Sequence, residues 1–263
     1  MQQIAEAVLY CGLFLISGVA GLVLHRHLPE RHRNRETLDF VRLVVGALVT
    51  FLAIVLGLLT AAAQSHFDNV GNTYRRMGGQ IVQLDDALRE TGAAGKAIRA
   101  EMRSYLAAVI ASTWPDEPAP SGTFLHGLPA GQAESTELSA LLRRVQAQIE
   151  ELDPRALPSD AMKSPAMTLF QDFITARWAV IETDHRTIPP AFYGLMLFWM
   201  ALMFMGFGLC APRTAVAAVT VLICAISLAS VVYVILELDD SSSGLIAISS
   251  DPLRQALADL DRP

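Results

Sequence analysis

The sequence predicts an all-α integral membrane protein: four transmembrane helices in a 2+2 arrangement, with an extramembrane helical bundle between the second and third. Three observations carry that prediction. Four apolar stretches, roughly Val8–Leu24, Leu43–Ala63, Ala191–Cys210 and Ala215–Leu236, each approach the ~20 residues that a helix needs to cross ~30 Å of hydrocarbon. The composition is 52% hydrophobic and only 17% charged, with a mean hydropathy of +0.39, which lies to the apolar side of ordinary soluble domains. None of the stretches alternates with period two, so they do not read as barrel strands. Lipid offers a peptide group no partner, which leaves helices.

This layout divides the chain into 1–63, transmembrane helices 1 and 2 with a short basic loop; 64–189, an extramembrane helical domain; 190–238, transmembrane helices 3 and 4; and 239–263, a C-terminal tail. The first stretch is expected to stay as a helix. Met1–Ala7 has no Lys or Arg and the stretch ends in Leu22-Val23-Leu24-His25-Arg26, unlike the basic start and small-residue cleavage site of a secretory signal. Cys11, Cys210 and Cys224 fall in or at the spans, where thiols behave as small hydrophobes.

Arg26, Arg31, Arg33, Arg35 and Arg42 crowd the first short loop, with His25, His27 and His32. Short cytoplasmic loops carry such an excess, so loop 25–42 is predicted to be cytoplasmic, with 64–189 and both termini extracytoplasmic. The histidines come without carboxylates or thiols at ligand spacing, and a solvated positive patch accounts for them.

Beyond the second span, Phe67, Val70, Tyr74, Met77, Ile81, Leu84 and Leu88 recur at steps of three and four, a heptad seam on a helix that continues out of the bilayer. The seam serves either subunit assembly or packing within the chain. Gly78-Gly79 predicts a bend or a close helix contact. A second helix is expected at Ala97–Ser112, stopped by Trp114-Pro115, and a loop through Ser135. A third near Glu134–Leu152 carries Leu138, Leu141, Leu142, Val145 and Ile149 on one side, and a fourth near Asp160–Thr187 carries Phe170, Phe173, Ile174, Trp178 and Ile181. Pro189-Pro190 separates it from the third span. Four such helices can form an antiparallel bundle.

Enzyme motifs are missing: no phosphate-binding glycine loop, dinucleotide fingerprint, His-Glu-x-x-His helix or Gly-x-Ser-x-Gly elbow occurs. The chain is therefore expected not to be an enzyme and to need no cofactor. Asp85-Asp86 with Glu90, and Glu150-Glu151 with Asp153, read as solvated helix faces. A net charge of −6 without a basic stripe argues against nucleic acid. The spans hold essentially no ionisable side chain, whose burial at mid-bilayer costs at least ~2.5 kcal/mol; this weighs against a proton-coupled transporter. Glu237, Asp239 and Asp240 are expected just beyond the fourth span, shallow enough to be hydrated.

A channel needs no buried charge, because small polar residues and apolar constrictions can line and gate a pore. Gly46, Ala47, Ala53 and Gly57 of the second span are followed by Gln64, Ser65, Asn69, Asn72 and Thr73, so one face either lines a conduit or packs closely through small residues. The candidate pore or ion-facing residues are Gly57, Gln64, Asn72, Arg75, Arg76 and Asp239. Acids at the end of the fourth helix oppose its dipole at ~0.3–1 kcal/mol each. Asp239 is thus expected to find a cation, Arg75 or Arg76, or a place in an ion-facing ring.

Two passages carry a resemblance: Arg99–Pro115, with Arg-Ser-Tyr-Leu and a terminal Trp-Pro, and Val234–Leu253, with Leu-Asp and Ser-Gly before an Ile-x-x-Ser-x-x-Pro-Leu-like tail. Both resemble the bestrophin-like membrane family of bacterial proteins of unknown function, with a similar span layout over nearly the whole chain. Leu238, Asp239, Ser243, Gly244, Ile248, Ser249, Pro252 and Leu253 match; Asp240, Ser241 and Ser242 stand where the family usually shows Arg, Pro and Phe. The resemblance implies an oligomeric membrane protein of the bacterial inner membrane. Since bestrophins are oligomeric anion channels, it also implies an ion (anion) channel, in which the small and polar face of the second transmembrane helix read above would line the pore. Partners would be membrane lipid, further copies of the chain and an inorganic ion. The alternative is a non-conducting scaffold or accessory subunit that binds a partner protein through its helical domain. Bestrophins place both termini in the cytoplasm, opposite to the charge-based orientation, which is the one carried forward.

Overall fold

A computed structural model describes residues 2–27, 29, 35–125, 136–152, 165–183, 188–212, 214–239 and 247–262. These residues form eight helices and no strand: α1 (Gln2–His27), α2 (Arg35–Arg89), α3 (Ala93–Thr113), α4 (Thr136–Glu151), α5 (Pro165–Thr183), α6 (Pro190–Cys210), α7 (Ala215–Asp239) and α8 (Asp251–Leu260). Four of them, α1, α2, α6 and α7, contain windows long and apolar enough to cross a membrane. The chain divides into two compact units, unit 1 (Met1–Phe67 with Arg186–Ile246) and unit 2 (Asp68–His185 with Ala247–Pro263). Among the sequence expectations, Arg31, His32, Arg33, Asp153, Asp240 to Gly244 and the outer ends of the expected third and fourth helices lie outside the described residues.

In unit 1, α1 packs along α6 and against α7. Glycine sets the α1–α6 distance: a Cβ added to Gly208 would fall 1.9 Å from the Gly18 carbonyl oxygen, and one on Gly21 would fall 2.0 Å from that of Met205. This is the small-residue contact by which membrane helices gain van der Waals packing that lipid does not drive. Phe14 stacks on Phe204 with centroids 5.1 Å apart. The buried core comprises Phe14, Leu52, Leu56 and Ala63 with Met196, Met200, Met203 and Phe204 of α6 and Ala225, Ala229, Val232 and Ile235 of α7. The methionine-rich helix is thus partly core, while Phe192, Leu195 and Phe198 stay exposed.

In unit 2 the seam residues Val70, Tyr74, Met77, Ile81, Leu84 and Leu88 of α2 are all buried within the chain itself, the second of the two packings open to them. The Gly78-Gly79 pair does not interrupt α2. Gly78 instead makes the close contact, since a Cβ there would come within 3.0 Å of the Pro252 carbonyl oxygen at the start of α8, whereas Gly79 faces open space. Gly92, at φ +68°, turns the chain from α2 into α3, a conformation that glycine adopts without a Cβ clash. Helices α3, α4, α5 and α8 complete the unit, with contacts between α3 and α4, α3 and α8, and α4 and α5. Tyr105 meets Phe173 edge-on at 5.8 Å.

Before α8, Ala247–Ser249 is irregular, and Trp114 Nε1 donates to the Ile248 carbonyl at 2.6 Å. One expectation is corrected here. Asp85 does not lie on a solvated face: it is 2% exposed and bridges Arg89 and Arg99, while Asp86 is exposed.

Candidate functional site

The part of α2 in unit 1 presents three distinct faces. Val45, Leu52, Leu56 and Ala63 turn into the core. Phe40, Leu43, Phe51, Ile54 and Leu58 form an exposed apolar face, suited to hydrocarbon. A third stripe, Gly46, Thr50, Ala53, Gly57, Ala61 and Gln64, recurs at steps of three and four, is small or polar, and is exposed throughout. Close packing inside the chain does not explain it, since a Cβ on Gly46 or Gly57 would meet nothing within 4 Å. The Thr50 hydroxyl donates to the Gly46 carbonyl at 3.1 Å.

Farther along α2, in unit 2, Asn72, Arg75 and Arg76 are exposed. Arg75 Nη2 donates to Asn72 Oδ1 at 2.7 Å, which fixes the guanidinium one turn from the amide on the helix surface.

Asp239 behaves differently from the other candidates. It and Glu237 are 3% and 0% exposed, so the expectation that they are hydrated beyond the fourth span is wrong for both: α7 runs on to Asp239 and carries them into the packed end of unit 1. The Asp239 carboxylate accepts the Ile188 backbone N–H at 3.3 Å and the Tyr193 hydroxyl at 3.0 Å. Ile188 and Tyr193 bracket the start of α6, whose N-cap Pro189 supplies no capping side chain. Asp239 thus sits at the positive pole of α6, which offsets the negative pole of its own helix. Glu237 accepts the Tyr233 hydroxyl at 2.5 Å.

A second polar assembly, which the sequence reading missed, holds the C-terminal helix in unit 2. Glu117 takes a short hydrogen bond from the Ser250 hydroxyl, a backbone bond from Ser250 N–H at 3.3 Å and a contact from Arg254 Nη2 at 3.0 Å. Burial pushes the Glu117 carboxyl up, but the Ser250 and Arg254 bonds outweigh it and hold it below its ordinary 4.5. Arg103 pairs with Asp261, and that hydrogen bond raises the arginine further above its usual range. Arg177, 4% exposed, donates from Nε to Tyr105 Oη at 3.1 Å. Burial, against the opposing charge of Arg177, pushes the Tyr105 phenol up to about 12, so it stays neutral. No sequence spacing signals these pairs, because Glu117 and Arg254, Arg103 and Asp261, and Tyr105 and Arg177 are too distant in the chain for any pattern rule.

Eight helices, four of them of membrane-crossing length, with a polar stripe on α2 and a C-terminal helix fastened by arginines, define a multi-pass α-helical membrane protein. The chain belongs to the Bestrophin-like domain family, whose model matches residues 12–253. Its structure is similar to that of a bacterial Bestrophin homolog from Klebsiella pneumoniae, seen in two substituted forms: one at 15% identity and TM-score 0.64, covering 99% of this chain and 98% of that one, the other at 14% and 0.63, covering 99% of each. A further crystal structure of a membrane protein is 16% identical, with TM-score 0.65 and 97% of each chain covered. At these identities the likeness carries the fold alone. No curated protein matches the sequence.

Proposed function

We propose that this chain assembles with copies of itself into an ion-conducting pore of the cell membrane, lined by the small polar stripe of α2. The observation that carries the proposal is the exposed run Gly46, Thr50, Ala53, Gly57, Ala61 and Gln64. Among the described residues a Cβ at Gly46 or Gly57 would meet nothing within 4 Å, and a narrow water-filled conduit is built from small and polar residues of this kind. Membership in the Bestrophin-like family supports the reading.

Anions are the proposed cargo. Arg75 and Arg76 are exposed on the continuation of α2, and a ring of guanidiniums contributed by several subunits favours anions over cations. Asp239 is assigned a positioning role at the α6–α7 end, not a place on the ion path. Purified protein in liposomes should give chloride flux that depends on the protein. Arg75→Glu should lower the chloride-to-potassium permeability ratio by about tenfold, equivalent to ~1.4 kcal/mol, and Gly57→Cys should make flux sensitive to a charged thiol reagent. Liposomes that stay tight across voltage and pH would remove the pore reading and leave that of a scaffold.

A further inference from the structure

In unit 1 the α1 helix, the turn after α6 and the first turns of α7 bound a partly open groove of about 690 Å³, within the ~300–1,000 Å³ of small-ligand sites. Its walls are aliphatic, with Val19 and Leu22 on one side and Ala218 and Val221 on the other, and its polar groups gather at one end, where Arg26 and Thr214 line it. Gly18 lies against Val221, so α7 runs back along α1 and the Arg26 end coincides with the start of α7. Arg26 is exposed and makes no ion pair with any described residue. Beside it, the Thr214 hydroxyl caps the Ala217 N–H at 3.3 Å, and the N–H groups of Ala215 and Val216 remain at the positive pole of the 25-residue α7.

We propose that this groove holds an anionic phospholipid, with one acyl chain along Val19, Leu22 and Val221 and the phosphate between Arg26 and the start of α7. The dimensions fit one leaflet: from Leu15 to Arg26 the helix rises ~16 Å, about half of the ~30 Å hydrocarbon core. Charge selects the headgroup, because a guanidinium with no ion pair among the described residues, at the mouth of an apolar slot, binds a phosphate diester bearing net charge better than one neutralised by choline. Unit 1 supplies its own control. A second groove of about 390 Å³ farther along the same helix pair, lined by Ala7, Val8, Cys11, Ile226, Ser230 and Tyr233 among others, contains no Lys or Arg, and it should take acyl chains without regard to headgroup. The inference does not depend on conduction.

The test is native mass spectrometry of the full-length protein in detergent, offered phosphatidylglycerol and phosphatidylcholine in equal amounts. The wild type should retain phosphatidylglycerol with about tenfold preference. Arg26→Gln should abolish the preference without abolishing acyl binding, Ala218→Phe should fill the groove and displace the lipid, and Ser230→Phe should leave the preference intact. Equal retention of the two lipids by the wild type, or an undiminished preference in Arg26→Gln, overturns the proposal. So does Ala218→Phe changing the number of subunits while lipid retention stays constant, which would make the groove a contact between copies. Arg26 is an exposed position, so its variant is informative even if Ala218→Phe fails to fold.

Discussion

Replacing Asp85 with Asn removes the charge on which two arginines of unit 2 converge. Arg99 Nε donates to Asp85 Oδ1 at 2.6 Å and its Nη2 to Oδ2 at 3.3 Å, while Arg89 Nε donates to Oδ2 at 2.8 Å. The same guanidiniums reach the end of the chain, from Arg89 Nη2 to the Asp259 carbonyl at 2.7 Å and from Arg99 Nη2 to those of Leu260 and Arg262, both at 3.1 Å. Asp85 is therefore the anion that aims two cations at the C-terminal carbonyls of α8. Breaking a fully buried pair costs ~3–5 kcal/mol. Here Asp85 is 2% exposed but Arg99 is 15% and Arg89 31% exposed, so water recovers part of the loss and Asn still accepts one bond, which lowers the expectation to ~2–3 kcal/mol. If α8 undocks as a local unit, its amides in Asp85→Asn should exchange roughly 30- to 160-fold faster than in the wild type, as read by hydrogen exchange mass spectrometry on Asp251–Leu260. The matched control is Asp39→Asn, whose pair with Arg42 is 2.9 Å long but 60% and 66% exposed and contributes only ~0–1 kcal/mol. Unchanged exchange in α8 of Asp85→Asn, or an equal effect from Asp39→Asn, would refute the anchoring role.

Three further outcomes follow from the geometry. The Glu117 carboxyl titrates below its ordinary 4.5 in the folded chain, so its contribution is complete above that value and is lost as pH falls through the lower folded value; protection of Asp251–Leu260 should drop on acidification, and Glu117→Gln should flatten that dependence. Gly208→Ala puts a methyl 1.9 Å from the Gly18 carbonyl and should destabilise unit 1 by ~3 kcal/mol or more, measured as a lower melting temperature in detergent, with a neutral result at Gly57→Ala, where nothing lies within 4 Å. Tyr193→Phe deletes one donor to the buried Asp239 carboxylate and should cost ~1.5–3 kcal/mol, whereas Tyr193→Phe with Asp239→Asn should cost less than the sum of the two single changes.

Periodicity made the helices legible where burial follows sequence spacing. The seam from Val70 to Leu88 is buried at every position, because a helix that packs on one side repeats its apolar residues near every 3.6 positions whatever it packs against. Trp114-Pro115 ended α3 for a local reason, the steric limit that proline places on the residue before it. Asp85 was misplaced although Arg89 lies one turn away, because its burial also depends on Arg99, 14 residues on; Asp239 had no such local sign. Hydropathy treats a carboxylate as exposed unless a partner is nearby in the chain, and the partners of Asp239 are 46 and 51 residues away, at Tyr193 and Ile188. Local reasoning identified the need for compensation at the end of α7; only the fold supplied the start of another helix to meet it. In the same way Trp114 and Ile248, which belong to the two passages that carried the family resemblance, turned out to touch each other across 134 residues.

The faces of α2 carry the argument for the proposed pore lining. A helix side given to the core must be filled, and Leu52, Leu56 and Ala63 fill it. A side given to hydrocarbon gains from large aliphatic and aromatic groups, as at Phe51, Ile54 and Leu58. The remaining stripe at Gly46, Gly57, Ala61 and Gln64 serves neither purpose: it is too small to fill a core and too polar at Gln64 to favour lipid. Gly57, around which nothing lies within 4 Å, and the exposed Gln64 suit the water-facing surface proposed above. Flux through Gly57→Cys liposomes and its block by a thiol reagent therefore report on the same stripe from which the pore was inferred.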